Sequence, residues 1–232
     1  MTKIKSQLSA ISDTIKEAVK QARNPSNSIR LLAVSKTKPA ALIRSLFEAG
    51  QHCFGENYLQ EALAKITTLS DLNIEWHFIG PIQSNKTKDI ATHFDWVQSV
   101  DRLKIAQRLS NQRPANLNKL NVCIQVNLDN EVSKSGIASN ETIAFAHQLA
   151  LFENIKLRGL MIIPTKTNDT ELQRQSFIRA YKLFTELSAI YPSVDTLSMG
   201  MSADMAIAIS EGSTMIRIGT ALFGQRDSVQ KQ

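Results

Sequence analysis

Leu31-Leu32-Ala33-Val34-Ser35-Lys36 is a short apolar run that ends on a lysine and is closed by Thr37-Lys38-Pro39. A run of this length, partly β-branched and bounded by a proline, reads as a buried strand. Pro39 then opens a helix, because its fixed φ suits the first turn. A lysine at the end of such a strand is costly unless it is paired, neutralised or used. Burial lowers the pKa of an amine, and a neutral amine attacks carbonyl carbons to form a Schiff base. The competing reading of Lys36 is that it snorkels from the strand end into water.

Outward from this run the pattern repeats. Upstream, Ile4, Leu8, Ile11, Ile15 and Val19 recur at helical spacing, which predicts an amphipathic helix over 4–22 stopped by Asn24-Pro25-Ser26-Asn27. Downstream come a helix over 40–49, a strand over 51–55 and a helix through Leu59, Ala62, Leu63 and Ile66. Strands over 75–80, 94–100 and 121–128 follow, each with its helix, over 86–92, 102–111 and 141–152. The last units are a strand over 156–163 with a helix over 171–191, a strand over 196–199 with a helix over 203–211, and a strand over 214–218. Eight strands alternating with helices, with little left over, predict one TIM-type (β/α)₈ barrel spanning 1–232 with an extra N-terminal helix. A doubly wound open sheet is the alternative, but it would not need eight units.

Composition agrees with an ordinary globular domain: 43% hydrophobic and 21% charged residues, and no apolar run of transmembrane length. Met1-Thr2-Lys3-Ile4 opens no signal-peptide pattern, and Cys53 and Cys123 offer no disulfide framework, so a reducing cytoplasm is expected. The net charge of +6 is scattered rather than clustered, which argues against nucleic acid. Lys38, Lys86 and Lys134 fall just past strand ends and predict a rim that attracts small anions, with a plain solvated surface as the rival.

In barrels of this kind the working groups lie at the carboxyl ends of the strands, and phosphate often sits after strands seven and eight. There the chain carries Leu197-Ser198-Met199-Gly200-Met201-Ser202 and Arg217-Ile218-Gly219-Thr220. Glycine lets backbone N–H groups approach an anion, and Ser202 is placed to cap the following helix. Barrel closure sets the last strand beside the first, so a phosphate at Gly219-Thr220 lies near Lys36. Arg217 shares a strand face with Met215 and needs a buried partner. That partner is either a pyridine ring nitrogen, as in some pyridoxal phosphate sites, or a carboxylate such as Glu211 or Asp204.

The chain further carries 33–39, Phe54-Gly55-Glu56-Asn57, Trp76-His77-Phe78-Ile79-Gly80 through Lys86, Ser133-Lys134-Ser135-Gly136 and Gly159-Leu160-Met161 ahead of the two C-terminal segments just quoted. In this set, from the first helix to Gly224, the sequence resembles the pyridoxal phosphate homeostasis protein family. The resemblance implies a barrel like the N-terminal domain of alanine racemase, with pyridoxal 5′-phosphate held on Lys36 as an internal aldimine. It further implies that Arg217 faces the pyridine nitrogen, that Ser202, Gly219 and Thr220 hold the phosphate, and that Asn57 and His77 line the ring. Asn57 has a rival role as part of a helix cap, and His77 as a hydrogen-bonded barrel residue. Ala203 departs from the family, where an acidic residue often precedes Asp204. The implied role is to hold and deliver the cofactor in the cell, without a firmly established reaction and with no efficient turnover expected; a monomer in transient contact with pyridoxal-phosphate-dependent apoenzymes is the expected form.

Other chemistries fit less well. A serine hydrolase fails because the second glycine of its nucleophile turn is replaced by Asp204 and no histidine follows Ser202. No Cys or His pair has metal-ligand spacing, and there is no phosphate-binding glycine string of the Rossmann or P-loop kind. A Schiff-base aldolase leaves Arg217 unexplained. A racemase-like enzyme is the main alternative, but racemisation needs an acid–base group on each face of the α-carbon. Tyr181 and Tyr191 belong to the outer helix and Tyr58 turns into its own helix, while the chain is expected to lack a second, β-rich domain beyond Gly224.

Overall fold

The computed structural model of the chain describes residues 3–22, 28–129, 131, 134–165 and 167–224. The expected stop at Asn24-Pro25-Ser26-Asn27 and Ser133 of the central motif lie outside the described residues. In chain order the first half runs α1 (Lys3–Lys20), β1 (Arg30–Val34), α2 (Ala40–Phe47), β2 (Cys53–Glu56), α3 (Leu59–Thr68), β3 (Glu75–Phe78), α4 (Thr87–His93), β4 (Trp96–Val100) and α5 (Leu103–Gln112). The second half runs β5 (Leu120–Asn127), β6 (Ile137–Ala138), α6 (Thr142–Leu149), β7 (Ile155–Ile162), α7 (Thr170–Ile190), β8 (Thr196–Ser198), α8 (Met205–Ser210), β9 (Met215–Ile218) and α9 (Thr220–Phe223).

All the strands pair in parallel, in the order β4-β3-β2-β1-β9-β8-β7-β5-β6, and β4 also pairs with β5. Eight strands therefore close into a barrel, and the open sheet is ruled out. Closure brings β9 against β1, with Leu32 opposite Arg217 and Ala33 opposite Ile218. The two-residue β6 was not expected. It hangs on the carboxyl end of β5, where Val126 pairs with Ile137. A strand of two residues carries no periodicity to read.

Alternation along the strands builds two separate interiors. Val97, Val122, Ile124, Leu160 and Ile162 belong to the large core between the sheet and the helices. Their neighbours Trp96, Cys123 and Met161 turn inward as a small cluster of their own. Fully burying a Leu, Ile or Phe contributes roughly 1.5–3 kcal/mol. The outer layer holds dozens of buried apolar side chains, so it dominates the stability. Helix α1 packs over α2, α8 and α9 and adds Ile4 and Ile11 to that layer. Gly159 makes the bulge in β7 possible: its φ is +151°, and a Cβ there would stand 1.7 Å from the Thr196 carbonyl oxygen.

Candidate functional site

A cavity of about 360 Å³ opens at the carboxyl ends of β1, β8 and β9. That is the low end of the range for small-molecule sites. It is lined by Lys36, Asn57, Ser202, Arg217, Gly219 and Thr220, together with apolar walls that include Val34, Ile79 and Met161. Six of the seven expected site residues thus meet around one space. A second hollow of about 260 Å³ shares Asn57, Ile79 and Ile163 with it and contains Arg102 and Lys134.

Lys36 follows β1 in a tight turn and is partly buried. The next residue, Thr37, has φ +62°, an uncommon conformation for a β-branched residue. Asn57 follows β2. Its Oδ1 is buried and has no hydrogen-bond partner among the described residues. Gly80 allows that placement, because a Cβ at 80 would lie 2.1 Å from the Asn57 carbonyl oxygen. The capping role considered for Asn57 does not hold: Tyr58 precedes the first turn of α3 and makes no side-chain cap bond.

Ser202 does not cap α8 either. The helix begins at Met205 after Asp204, whose Oδ1 instead accepts the Met201 N–H at 2.5 Å. Ser202 is thereby left in the turn facing the cavity, and Gly219 and Thr220 face it from the start of α9. Orphan N–H groups of first turns and free hydroxyls are the donors that a phosphate takes.

Arg217 is only 5% exposed. Its Nη1 donates to the Ser198 carbonyl oxygen and to Ser198 Oγ at 2.7 and 2.8 Å, and its Nη2 to the Ile162 carbonyl oxygen at 2.8 Å. The expected carboxylate partners are otherwise engaged, Glu211 with Arg174 and Asp204 with its own turn. Burial pulls the Arg217 pKa down to about 10, and the nearby charge of Asp204 opposes that. The guanidinium stays charged at neutral pH while bonded to neutral oxygens.

His77 is not among the residues lining the cavity. It is fully buried one layer down and stacks on Trp96 at 5.1 Å. Side chains two apart on a strand share a face, so Ile79 reaches the cavity and His77 sits about 6–7 Å deeper. Gln98 Nε2 donates to His77 Nδ1 at 2.9 Å, which puts the ring proton on Nε2, bonded to Glu75 Oε1 at 2.6 Å. Burial holds His77 below its ordinary range, so the ring is neutral. Ser198 Oγ completes the chain by donating to Gln98 Oε1 at 2.7 Å. An unbroken line of hydrogen bonds thus runs down the barrel from Arg217 to Glu75. Glu75, Gln98 and Ser198 carry no individual signal in the sequence, because single polar residues on strands have no spacing signature.

Of the expected cationic rim, Lys134 lies at the mouth and pairs with Glu131 at 2.7 Å. Lys38 belongs to a hollow between α2 and α3, and Lys86 lines neither mouth cavity.

The sequence matches the family described as "Alanine racemase, N-terminal domain" over residues 7–227. A pyridoxal phosphate homeostasis protein of Pseudomonas aeruginosa is 54% identical, covering 98% of this chain and 97% of its own. The chain belongs to the pyridoxal phosphate homeostasis protein family. The Escherichia coli member of that family is 47% identical over the full length of both chains. Among solved structures, PipY of Synechococcus elongatus with pyridoxal phosphate bound superposes with a TM-score of 0.83 at 37% identity, covering 96% of this chain and all of that one. An alanine racemase of Clostridium difficile shares the fold at a TM-score of 0.76 and 15% identity, and 58% of its chain is covered. No helix among the described residues is long and apolar enough to cross a membrane.

Proposed function

We propose that the chain binds pyridoxal 5′-phosphate in the cavity at β1, β8 and β9, attached through its aldehyde carbon to Lys36 Nζ, and takes part in the homeostasis of that cofactor. The observation that carries this reading is the convergence of Lys36, Arg217 and the Ser202/Gly219/Thr220 turn pair on one space of suitable size, beside the unpartnered Asn57 Oδ1. The relatives named above, and the cofactor bound in PipY, support it.

The cofactor supplies an aldehyde and an electron-withdrawing pyridine ring. The chain's residues do the rest. Ser202, Gly219 and Thr220 hold the phosphate, and Asn57 approaches the ring edge. Arg217 presents a charged donor to the ring nitrogen and keeps that nitrogen an unprotonated acceptor, since two cations do not share a hydrogen bond. An unprotonated ring is a poorer electron sink.

The same residues support a holding and delivering role rather than catalysis. None of the tyrosines lines the cavity: Tyr58 is 54% exposed beside α3, Tyr181 packs at Gly212, and the Tyr191 hydroxyl meets His147 Nδ1 at 2.6 Å. Among the described residues no tyrosine is placed to serve as a second acid–base group for racemisation. The cofactor would pass to apoenzymes in transient contacts at the barrel mouth. The chain would act as a monomer in a reducing cytoplasm, where its free Cys53 and Cys123 remain thiols.

The test is the absorption spectrum of the purified protein with cofactor, before and after borohydride. A band lost on reduction and an adduct mapped to Lys36 by mass spectrometry are expected; an adduct on Lys38 or Lys134 overturns the assignment. Alanine α-deuterium exchange at about one turnover per second or faster would overturn the carrier role.

A further inference from the structure

Both peptide groups that flank Lys36 are tied to a single buried ammonium. On the N-terminal side, the Ser35 carbonyl oxygen accepts from Lys65 Nζ at 2.8 Å, and Ser35 Oγ donates to Glu56 Oε1 at 2.6 Å. On the C-terminal side, the Thr37 N–H donates to Glu61 Oε1 at 2.6 Å. Lys65 Nζ joins the two halves, donating to Glu56 Oε1 at 2.8 Å and to Glu61 Oε1 at 2.5 Å. The Lys65 side chain is 7% exposed and that of Glu56 is fully buried. Glu61 and Lys65 are one turn apart on α3, so their pairing is local. Glu56 ends β2, and Ser35 follows the adjacent strand β1.

We infer that Glu56, Glu61 and Lys65 form a clamp that sets the direction in which Lys36 leaves its strand, and that they are positioning residues for its amine. This rests on the reading of Lys36 as the attachment point.

Thr37 sits at φ +62°, where a β-branched side chain crowds the backbone. Such a conformation persists only when the surroundings over-determine it, and strain of this kind collects where geometry matters. The group that holds it here is the Glu61 carboxylate on the Thr37 N–H. A packed apolar side chain would fill the same space, but it cannot fix the orientation of a peptide N–H and a peptide carbonyl at once. Burying the Glu56 carboxylate and the Lys65 ammonium, with the half-buried Glu61 at their edge, is an expensive way to fill a gap, and such a network makes sense where an orientation is being held. Each bond of the cluster lands on residue 35 or 37 or links groups that do, and residue 36 lies between them.

The experiment compares wild type with Glu61→Ala, Glu61→Gln and the double variant Glu61→Ala/Thr37→Gly. Glu61 is the member to change, because its side chain is 28% exposed and its loss leaves the Lys65–Glu56 pair intact. Two probes separate positioning from folding. Pyridoxine 5′-phosphate, an alcohol in place of the aldehyde, reports the phosphate and ring site alone. Pyridoxal 5′-phosphate followed by borohydride and mass spectrometry reports the rate of attachment to Lys36. Glu61→Ala should keep its affinity for pyridoxine 5′-phosphate within about twofold while attachment slows on the order of tenfold. Glu61→Gln, which retains an acceptor for the Thr37 N–H, should recover most of the rate. Thr37→Gly should also restore it in the Glu61→Ala background, because glycine adopts φ +62° without strain. Attachment at the wild-type rate in Glu61→Ala overturns the clamp, and so does a parallel loss of both probes with no recovery by Thr37→Gly. Wild-type protein that yields no adduct on Lys36 would instead overturn the attachment reading itself.

Discussion

At the amino end of the barrel, Arg30 reaches Glu75 and Cys53, Arg158 pairs with Asp195, and both guanidinium groups lie over the ring of Trp96, at 5.4 and 4.6 Å. At the carboxyl end, Arg217 bonds only to neutral oxygens and Asn57 Oδ1 has no partner among the described residues. Both ends are polar. At the amino end each cation named meets an anion of its own chain, so the charge is spent on holding strands together. At the carboxyl end hydrogen-bonding capacity is left over, and leftover capacity in an enclosed space is what a ligand completes. Ser198, Gln98 and His77 connect the two ends, so the guanidinium at the mouth is oriented by a chain that begins at the floor.

This contrast predicts that substitutions at the two ends separate stability from cofactor binding. Trp96→Ala removes the ring between two guanidinium groups and His77, and should cost about 3–5 kcal/mol of unfolding free energy. Urea denaturation measures this; a loss confined to cofactor affinity would break the contrast.

Glu75→Gln should cost less, roughly 1–2 kcal/mol at neutral pH, because the Arg30 pair is partly exposed. Burial alone would raise the Glu75 pKa, but His77 and Arg30 outweigh it and hold it at about 2, against an ordinary 4.5. A carboxyl depressed in the folded state stabilises fully above the unfolded value and loses that contribution as pH falls through 4.5 toward 2. The wild-type urea midpoint should therefore fall across that window, and the Glu75→Gln midpoint should fall less.

At the mouth the signs reverse. Asn57→Ala removes an acceptor that the protein itself leaves unpaired, so the melting temperature should hold or rise slightly. Pyridoxal phosphate affinity should drop about fivefold to tenfold. Ser202→Ala should have the smallest effect, weakening inorganic phosphate and cofactor by a few-fold with no change in stability. Titrations of the refolded variants decide both, and a stability loss without an affinity loss at either position would erase the distinction.

Much of the barrel was legible because its strands are short apolar runs separated by amphipathic helices, and that periodicity survives in one dimension. Lys36, Arg217 and the Ser202 and Gly219-Thr220 turns were legible for a related reason. Charge or glycine at a strand end departs from a strong local pattern. His77 was misplaced because its level in the barrel depends on the stagger between strands, which no local pattern records. The Ser202 cap failed at the same scale, since Asp204 competes for the same turn and only the built turn shows which side chain closes it.

The alternation of strand and helix, the closure it demands, and the lysine, arginine and turn residues at strand ends are written in the one-dimensional chain. These rest on periodicity and on the intrinsic cost of misplaced charge. The link from Glu75 to Arg217 through Gln98, and the hold of Lys65 and Glu61 on the peptides around Lys36, exist only in three dimensions. Those links join residues from different strands and helices, and a hydrogen bond depends on distances of a few ångströms that arise only when the barrel closes.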